Sequence, residues 1–529
     1  MTIARLPRCI AWLTGPVVVA ALTAAEAQAQ TAGQFENWKE TAQGRAPVGA
    51  CSWLRALTGY EFSIDAASVV PAQGDTPEFC LVHGQVMPEV RFEVALPRNW
   101  NGRLYMFGNG SFAGEALGAP RRTATRNDAI KRGFATAQTN TGHDAAREPL
   151  ATFAGNPQKV ADYAYRAVHV TAMTAKTLVR AHYNAPAVRS YFAGCSTGGR
   201  QGLIAAQRFP DDFDGIVVGA PVLNFSGTMA HHAAIGRALA SAPVSTDTVR
   251  LIAEKAYGKC DVADGLVDGL ITDPRRCQFD VTTDMPQCTA AAPDAVSCIT
   301  DTQSRTLRAV YGGLTSKGVA IFPGFPVGAE ALIPTPGGYR TGWHPWIVAE
   351  GQQTAGVQLA DSFFKEMVTP GTPIDWRAFD AERDMEKLEK IGALLDARDP
   401  DLARFRDRGS KILMYFGWAD PALTPLMGID YYEQVRRTMG GRTEEFFRLF
   451  MLPGVLHCGG GLGPSEFDSM TPLVEWVERG TPPERLTATL RRGGKAVRSR
   501  PLCVYPAVAK YRGSGSVDEA ASFECRVPD

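Results

Sequence analysis

From about residue 90 to residue 221, short runs rich in β-forming residues alternate with longer stretches whose apolar residues have helical spacing. The runs typical of β-strands are residues 91–96, 103–107, 189–193 and 215–218. The stretches typical of helices are residues 160–183 and 199–208, the second ending before Pro210. Because strands and helices alternate, we predict an α/β fold with a mostly parallel sheet.

The alternation stops between about residues 223 and 397. This stretch has four cysteines, many Pro and Gly residues and few apolar runs suited to a sheet. Strand patterns then resume at residues 411–416 and 446–452. Because strand candidates lie on both sides of the irregular stretch, we interpret it as a lid domain inserted into one sheet, rather than as part of a separate carboxy-terminal domain. The predicted domains are a first catalytic part (30–222), the lid (223–397) and a second catalytic part (398–529).

The amino terminus has the pattern of a secretory signal peptide. Arg5 and Arg8 precede an apolar run at residues 9–25, and Ala27-Gln28-Ala29 matches a small-x-small cleavage site. The apolar run is shorter than the ~20 residues of a membrane-spanning helix. We therefore predict cleavage near Ala29 and a secreted or periplasmic protein without a membrane anchor. A formal net charge of zero gives no reason to expect nucleic acid as a partner.

Export bears on the eleven cysteines, because disulfides form in oxidising compartments. Without Cys9, which lies in the predicted signal peptide, ten remain, an even number. The spacing does not establish their connectivity. Eight of them are close to a partner in the chain: Cys51 to Cys80, Cys260 to Cys277, Cys288 to Cys298, and Cys503 to Cys525.

Residues 194–198 read Gly-Cys-Ser-Thr-Gly and fit the Gly-x-Ser-x-Gly nucleophile elbow. In such an elbow, the glycines permit a strained turn that lifts the serine hydroxyl above the sheet. A predicted strand precedes this motif and a predicted helix follows it, as the elbow requires. We therefore predict Ser196 as a nucleophile; the alternative is a glycine turn with a purely structural role.

A serine nucleophile of this fold needs an acid and then a histidine later in the chain. Asp420 directly follows the strand candidate at 411–416, and His457 follows the one at 446–452. Both therefore lie at carboxyl ends of strands, where sites of α/β proteins form. His344 is the rival base, but it lies in the predicted lid. We expect His457 to accept the proton of Ser196 and Asp420 to orient the imidazole.

The tetrahedral intermediate also needs N–H donors for its oxyanion. One should be the backbone of Thr197, directly after the nucleophile. The other should come from the glycine-rich loop at residues 108–114, which by itself is equally consistent with a tight turn.

Cys195 immediately precedes Ser196, and Cys458 immediately follows His457. This resembles the Cys-Ser…Asp…His-Cys arrangement of the tannase and feruloyl esterase family, which includes the hydrolase of mono(2-hydroxyethyl) terephthalate. The resemblance extends from about residue 51 to residue 525. The segments 194–202 and 208–210 are close to the family's forms.

The resemblance implies an α/β-hydrolase fold with a large inserted lid. It implies a disulfide between Cys195 and Cys458 and four bridges between the chain neighbours named above. The bridge between Cys195 and Cys458 is sterically reasonable. When a serine and a histidine lie within hydrogen-bond reach, the residues next to them lie near the usual Cα–Cα distance of a disulfide. Ser111 stands where the family places its second oxyanion donor; many members have glycine there, and either residue supplies an N–H.

Asp261, Asp264 and Asp268 lie in one short loop with glycines between them. Carboxylate oxygens are ligands that Ca²⁺ prefers, whereas the alternative is a solvated acidic turn. The loop resembles the family's lid calcium site, in which Leu266 and Leu270 would add backbone carbonyls. The resemblance thus implies a structural calcium ion.

The family's substrates, which are esters of aromatic acids, imply a small aromatic ester as the partner. Terephthalate-type members hold the free carboxylate with a lid arginine, but residues 349–367 contain only Lys365 as a cation. This departure argues against a dedicated terephthalate monoester hydrolase. Four lid aromatics are candidates either for stacking on the substrate ring or for the lid core: Trp343, Trp346, Phe363 and Phe364.

Two other functions are compatible with the same residues. A Ser-Asp-His triad also attacks amides, so a peptidase is one alternative. A non-catalytic binding protein that retains the fold is the other. Hydrolysis of methyl ferulate but not of peptides distinguishes the esterase from both.

Overall fold

The computed structural model describes residues 34–40, 44–289 and 297–528. The predicted signal peptide and its cleavage site lie outside the described residues. In chain order the strands are β1 (Phe62–Val70), β2 (Phe79–Val86), β3 (Val90–Pro97), β4 (Arg103–Phe107), β5 (Ala135–Thr139), β6 (Arg189–Cys195), β7 (Gly215–Gly219), β8 (Leu314–Ser316), β9 (Val319–Phe322), β10 (Leu332–Thr335), β11 (Gly338–Thr341), β12 (Lys411–Gly417), β13 (Phe447–Leu452), β14 (Arg485–Arg492), β15 (Lys495–Cys503), β16 (Val508–Tyr511) and β17 (Phe523–Arg526).

Nine of these strands form one large sheet in the order β1-β2-β3-β5-β4-β6-β7-β12-β13. The strands from β5 to β13 in this order run parallel, whereas β1, β2 and β3 pair antiparallel at one edge. Every residue of β5 and β7 is buried. Parallel strands covered on both faces have this continuous burial, which explains the short apolar run of β7.

Helices pack on the sheet and build the inserted segment. They are α1 (Pro120–Ile130), α2 (Pro157–Ala161), α3 (Ala167–Tyr183), α4 (Thr197–Arg208), α5 (Phe225–Ser241), α6 (Thr246–Cys260), α7 (Asp301–Gly312), α8 (Ala355–Ser362), α9 (Ala381–Asp384), α10 (Glu389–Leu395), α11 (Ala403–Asp407), α12 (Pro425–Met439) and α13 (Met470–Arg479). The predicted helix at 160–183 is not continuous, because a π-helical turn at Asp162–Arg166 joins α2 to α3.

The irregular stretch at 223–397 leaves the sheet after β7 and returns to it at β12. These two strands are neighbours in the sheet and pair in parallel. The stretch adds no strand to the large sheet within the described ranges; its own strands form the hairpins β8–β9 and β10–β11. The domain boundaries remain a prediction.

Five disulfides join the ten cysteines outside the predicted signal peptide, with Cα–Cα distances from 5.0 to 5.9 Å. The pairs are those that the family resemblance implies. Cys51 bonds to Cys80, Cys195 to Cys458, Cys260 to Cys277, Cys288 to Cys298, and Cys503 to Cys525. Such a set of bridges fits an extracellular protein.

Among the residues covered by the structure, we find no helix with the length and apolar character needed to cross a bilayer.

Candidate active site

Ser196 lies in the sharp turn between the end of β6 and the start of α4. Its φ of 61° and ψ of −123° put a non-glycine residue in a strained conformation, as expected for a nucleophile elbow. The turn is tight enough that a Cβ at Gly194 would lie 2.5 Å from the backbone of Gly198. The Ser196 N–H donates to the Gly219 carbonyl at 3.0 Å. The serine is therefore held at the N-terminus of α4, the positive end of the helix dipole.

Asp420 and His457 follow the ends of β12 and β13, so the parallel strands bring them to the same edge of the sheet. Asp420 Oδ2 is 2.7 Å from His457 Nδ1, and both side chains are buried. The other oxygen, Oδ1, accepts backbone N–H groups of Ala422 and Leu423 at 2.9 Å each. These two hydrogen bonds fix the carboxylate so that it can orient the imidazole ring.

The disulfide between Cys195 and Cys458 joins the elbow to the loop that carries His457. Its Cα–Cα distance is 5.9 Å across a sequence separation of 263 residues. Ser196 and His457, the immediate neighbours of the two cysteines, line the same pocket. The structure thus brings all three predicted catalytic residues together. His344 does not line this pocket.

The two predicted oxyanion donors also line the pocket. Within the described part of the chain, neither the Ser111 N–H nor the Thr197 N–H has a hydrogen-bond partner. Thr197 is the first residue of α4, where helix N–H groups have no acceptor within the helix. Ser111 has a positive φ of 47°. Both N–H groups are therefore available to a developing negative charge.

The pocket has a volume of about 110 Å³ and a mainly apolar wall. The half-buried Trp346 lines it, with its ring 5.6 Å from the His457 ring in an edge-to-face arrangement. The other three lid aromatics, Trp343, Phe363 and Phe364, are fully buried and belong to the core. The apolar lining residues are Phe112, Leu150, Val222, Phe225, Met229, Pro345, Trp346, Ala355, Leu359, Ala422 and Leu423.

Three polar side chains of the pocket wall already donate a hydrogen bond to a backbone carbonyl of the protein. The Thr228 hydroxyl donates to Asn224 O at 2.7 Å, and the Gln358 amide donates to Gln353 O at 2.9 Å. Burial lowers the pKa of His232 to about 4, so the ring is neutral, and its Nε2 bonds a backbone carbonyl at 3.1 Å. Each of the three keeps an acceptor atom. The wall can therefore accept hydrogen bonds from a ligand, and the second amide N–H of Gln358 can also donate one.

A cation also lines the pocket, at a position that the sequence analysis did not single out. Arg121, in the first turn of α1, contributes to the wall, and Glu115 lies near enough to interact with its charge. Lys365 does not line the pocket and instead pairs with Asp361 at 2.8 Å. Arg121 was missed because no strand or helix was predicted around it and its chemistry resembles that of an ordinary surface arginine.

The acidic loop keeps its three aspartates close together after α6. Asp264 Oδ1 accepts the Leu266 N–H at 3.0 Å, and Asp268 Oδ1 accepts the Leu270 N–H at 3.1 Å. Asp261 accepts the N–H groups of residues 268 and 269. Burial raises the pKa of Asp264, and the charges of the other two aspartates raise it further.

Whether this loop fits Ca²⁺ depends on Asp268, whose Oδ2 pairs with Arg500 at 2.5 Å. The donor type fits, because hard oxygens lie on one loop. The arrangement does not present them together: among the described residues no three metal-ligating side chains converge. A bound ion would compete with Arg500 for the Asp268 carboxylate.

Comparison with known proteins then decides the family. The model described as "Tannase and feruloyl esterase" matches residues 75–526 of this chain. The chain belongs to that family. It is 33% identical to mono(2-hydroxyethyl) terephthalate hydrolase of Piscinibacter sakaiensis, over 91% of this chain and 90% of that protein. It is 32% identical to feruloyl esterase B of Aspergillus niger, over 82% and 83% of the two chains.

A solved structure leads to the same family. Feruloyl esterase B from Aspergillus oryzae superposes with a TM-score of 0.79 at 26% identity, covering 90% of this chain and 99% of that one. The α/β-hydrolase fold predicted from the sequence is confirmed. As a member of the tannase and feruloyl esterase family, the chain is an ester hydrolase.

Proposed function

We propose that this esterase hydrolyses carboxylic esters of aromatic acids through an acyl-enzyme, with Ser196, Asp420 and His457 as its catalytic triad. The observation that carries the proposal is the 2.7 Å contact between His457 Nδ1 and Asp420, in a pocket that also contains the elbow serine. His457 Nε2 removes the Ser196 proton as the oxygen attacks the ester carbonyl. The Ser111 and Thr197 N–H groups stabilise the oxyanion.

The leaving alcohol then takes the proton from His457, and the acyl group remains on Ser196. Water, activated by the same imidazole, attacks the acyl-enzyme and releases the acid. The Asp420 carboxylate stabilises the imidazolium that forms in each half-reaction.

The wall of the pocket supports an aromatic acyl group with phenolic hydroxyls. The apolar side chains suit a planar ring. The acceptor atoms of Thr228, His232 and Gln358 suit hydroxyl donors on that ring. The relatives named feruloyl esterase support the same choice.

A second candidate is hydrolysis of a terephthalate monoester. Arg121 favours it, because a guanidinium in the wall is a suitable partner for the free carboxylate. The relative that is a mono(2-hydroxyethyl) terephthalate hydrolase supports it too. One observation argues against this candidate: the acceptor atoms of Thr228, His232 and Gln358 would repel a substrate carboxylate that came close to them.

A substrate panel distinguishes these candidates. Purified enzyme is assayed with methyl ferulate, methyl gallate, a terephthalate monoester and a peptide, with Ser196→Ala as the inactive control. The proposal expects the highest kcat/KM with a phenolic ester and no cleavage of the peptide. Highest kcat/KM with the terephthalate monoester, and its loss in Arg121→Gln, would establish the second candidate instead. Turnover that survives in Ser196→Ala would overturn the triad.

We also propose that the loop with Asp261, Asp264 and Asp268, together with the Leu266 and Leu270 carbonyls, binds a structural Ca²⁺ in the inserted lid. The hard oxygen donors and the mutual repulsion of the aspartates support this. The ion would tie the loop together and take no part in ester chemistry.

Secretion after cleavage near Ala29 is likewise proposed. The disulfides support it, because such bridges persist in oxidising compartments.

A further inference from the structure

Two side-chain hydroxyls hold the carbonyl of the oxyanion-loop residue Ser111. Tyr163 Oη donates to Ser111 O at 3.0 Å, and Thr197 Oγ1 donates to the same oxygen at 2.5 Å. Burial raises the pKa of Tyr163, so its hydroxyl remains protonated and available as a donor. The two hydrogen bonds connect the loop with both the nucleophile helix and the π-helical turn.

Ser111 needs such support because of its backbone conformation. A φ of 47° is common for glycine but costs free energy in a residue with a Cβ. In this chain the two hydroxyls hold the peptide plane between Ser111 and Phe112. That plane meets the plane of the Ser111 N–H at the Ser111 Cα, so holding it limits how far the N–H can turn.

Arg200 packs against the ring of Tyr163. The guanidinium carbon lies 4.8 Å from the centre of the Tyr163 ring. Arg200 is fully buried, and its side chain donates to the carbonyls of Tyr163, Ala164 and Leu395 at 3.0–3.2 Å. Asp396 is near enough to interact with its charge, but Arg200 forms no ion pair with any residue in the described ranges. A buried cation without a directly bonded carboxylate is costly, which points to a role beyond packing.

Arg200 is also attached to the nucleophile, because its backbone N–H donates to Ser196 O at 3.0 Å. One residue therefore connects the elbow, the π-helical turn and the end of α10. Its guanidinium lies against the ring of the tyrosine that supports the oxyanion loop.

We propose that Tyr163 is a positioning residue of the oxyanion hole and that Arg200 holds it in place. The inference rests on the proposed serine-esterase mechanism. Tyr163 acts on the reaction only through Ser111 and Thr197. Loss of its hydroxyl should therefore weaken binding of the tetrahedral intermediate and leave binding of the ground-state ester nearly unchanged.

The test is Tyr163→Phe, assayed with the best ester of the panel. We expect kcat to fall about 10- to 100-fold with KM nearly unchanged. The affinity for an aryl boronic acid, which forms a tetrahedral adduct on the serine, should fall by a similar factor. The matched control is Tyr183→Phe, which removes another buried hydroxyl bonded to a carbonyl, Pro97 O at 2.6 Å, away from the pocket wall. Its kcat should equal that of the wild type.

A second variant tests the reason for the support. Glycine at position 111 adopts a positive φ without strain, so Tyr163→Phe should cost less in a Ser111→Gly background than in the wild type. Undiminished kcat in Tyr163→Phe, an equal loss in Tyr183→Phe, or the same loss in both backgrounds would overturn the inference. These outcomes leave the triad intact; the triad itself fails only if Ser196→Ala remains active.

Discussion

Removal of the disulfide between Cys195 and Cys458 should affect both stability and catalysis. The double variant with Cys195→Ala and Cys458→Ala opens a loop with a sequence separation of 263 residues. The chain entropy of a loop of that length corresponds to about 5–6 kcal/mol of unfolding free energy. This value is the upper limit of what the double variant should lose. Urea unfolding followed by tryptophan fluorescence measures the loss.

The catalytic effect follows from the positions of the two cysteines. Each is adjacent to a proposed catalytic residue, so the bridge, with its 5.9 Å Cα–Cα distance, restrains the approach of Ser196 and His457. A displacement of about 1 Å costs about 10²-fold in rate, and we expect a loss of that order in kcat/KM at a temperature where the variant is folded.

The control is the double variant with Cys503→Ala and Cys525→Ala, which removes a bridge with a separation of 22 residues. Neither Cys503 nor Cys525 lines the pocket. This control should lose about 3 kcal/mol of stability and keep its kcat/KM. The reasoning is refuted if the folded variant without the bridge from Cys195 to Cys458 keeps full kcat/KM, or if both double variants lose activity equally.

Ser196→Ala should remain folded and lose several orders of magnitude of ester turnover, about 10⁶-fold in a comparable protease, and a tenth of wild-type activity would exclude the assigned nucleophile. Chelation of Ca²⁺ should lower the melting temperature while ester hydrolysis continues at low temperature. Absence of the metal from freshly purified protein, with no thermal shift on its addition, would contradict the calcium proposal. Burial raises the pKa of Glu330 to about 7 from its ordinary 4.5, so the folded state binds that proton more tightly and stability should fall as the pH rises between these values. Glu330→Gln should remove up to about 3 kcal/mol of this fall, measured by urea unfolding across the window; identical slopes for variant and wild type would show that Glu330 is not its source.

The local pattern of apolar residues and the elbow motif were sufficient to predict the elements nearest the active site. The predicted strand at 411–416 and the observed β12 differ by one residue, and the predicted helix at 199–208 lies within α4. These elements could be predicted because buried parallel strands are continuous apolar runs and the elbow motif has a fixed strand-turn-helix context. The fold class, the order Ser196, Asp420, His457 and the family resemblance follow from the sequence alone.

Pattern was not sufficient where neighbours in space decide the conformation. The antiparallel edge strands β1 and β2 and the short strand β5 were not predicted, because polar residues or glycine interrupt the apolar pattern of each: Asp65 in β1, His83 and Gly84 in β2, and Gln138 in β5. The π-helical turn at Asp162–Arg166 interrupts what reads as one helix.

The chemistry around the triad depended most on tertiary structure. Nothing in the local sequence relates Tyr163 to Ser111, or Arg121 to the pocket wall, since each pair meets only when the sheet and its helices assemble. Likewise, the residue types of the acidic loop suggest Ca²⁺, whereas the pairing of Asp268 with Arg500, 232 residues away, exists only in the folded chain. Sequence determines which groups can react; long-range packing decides which of them meet, because contacts between distant segments depend on the whole fold.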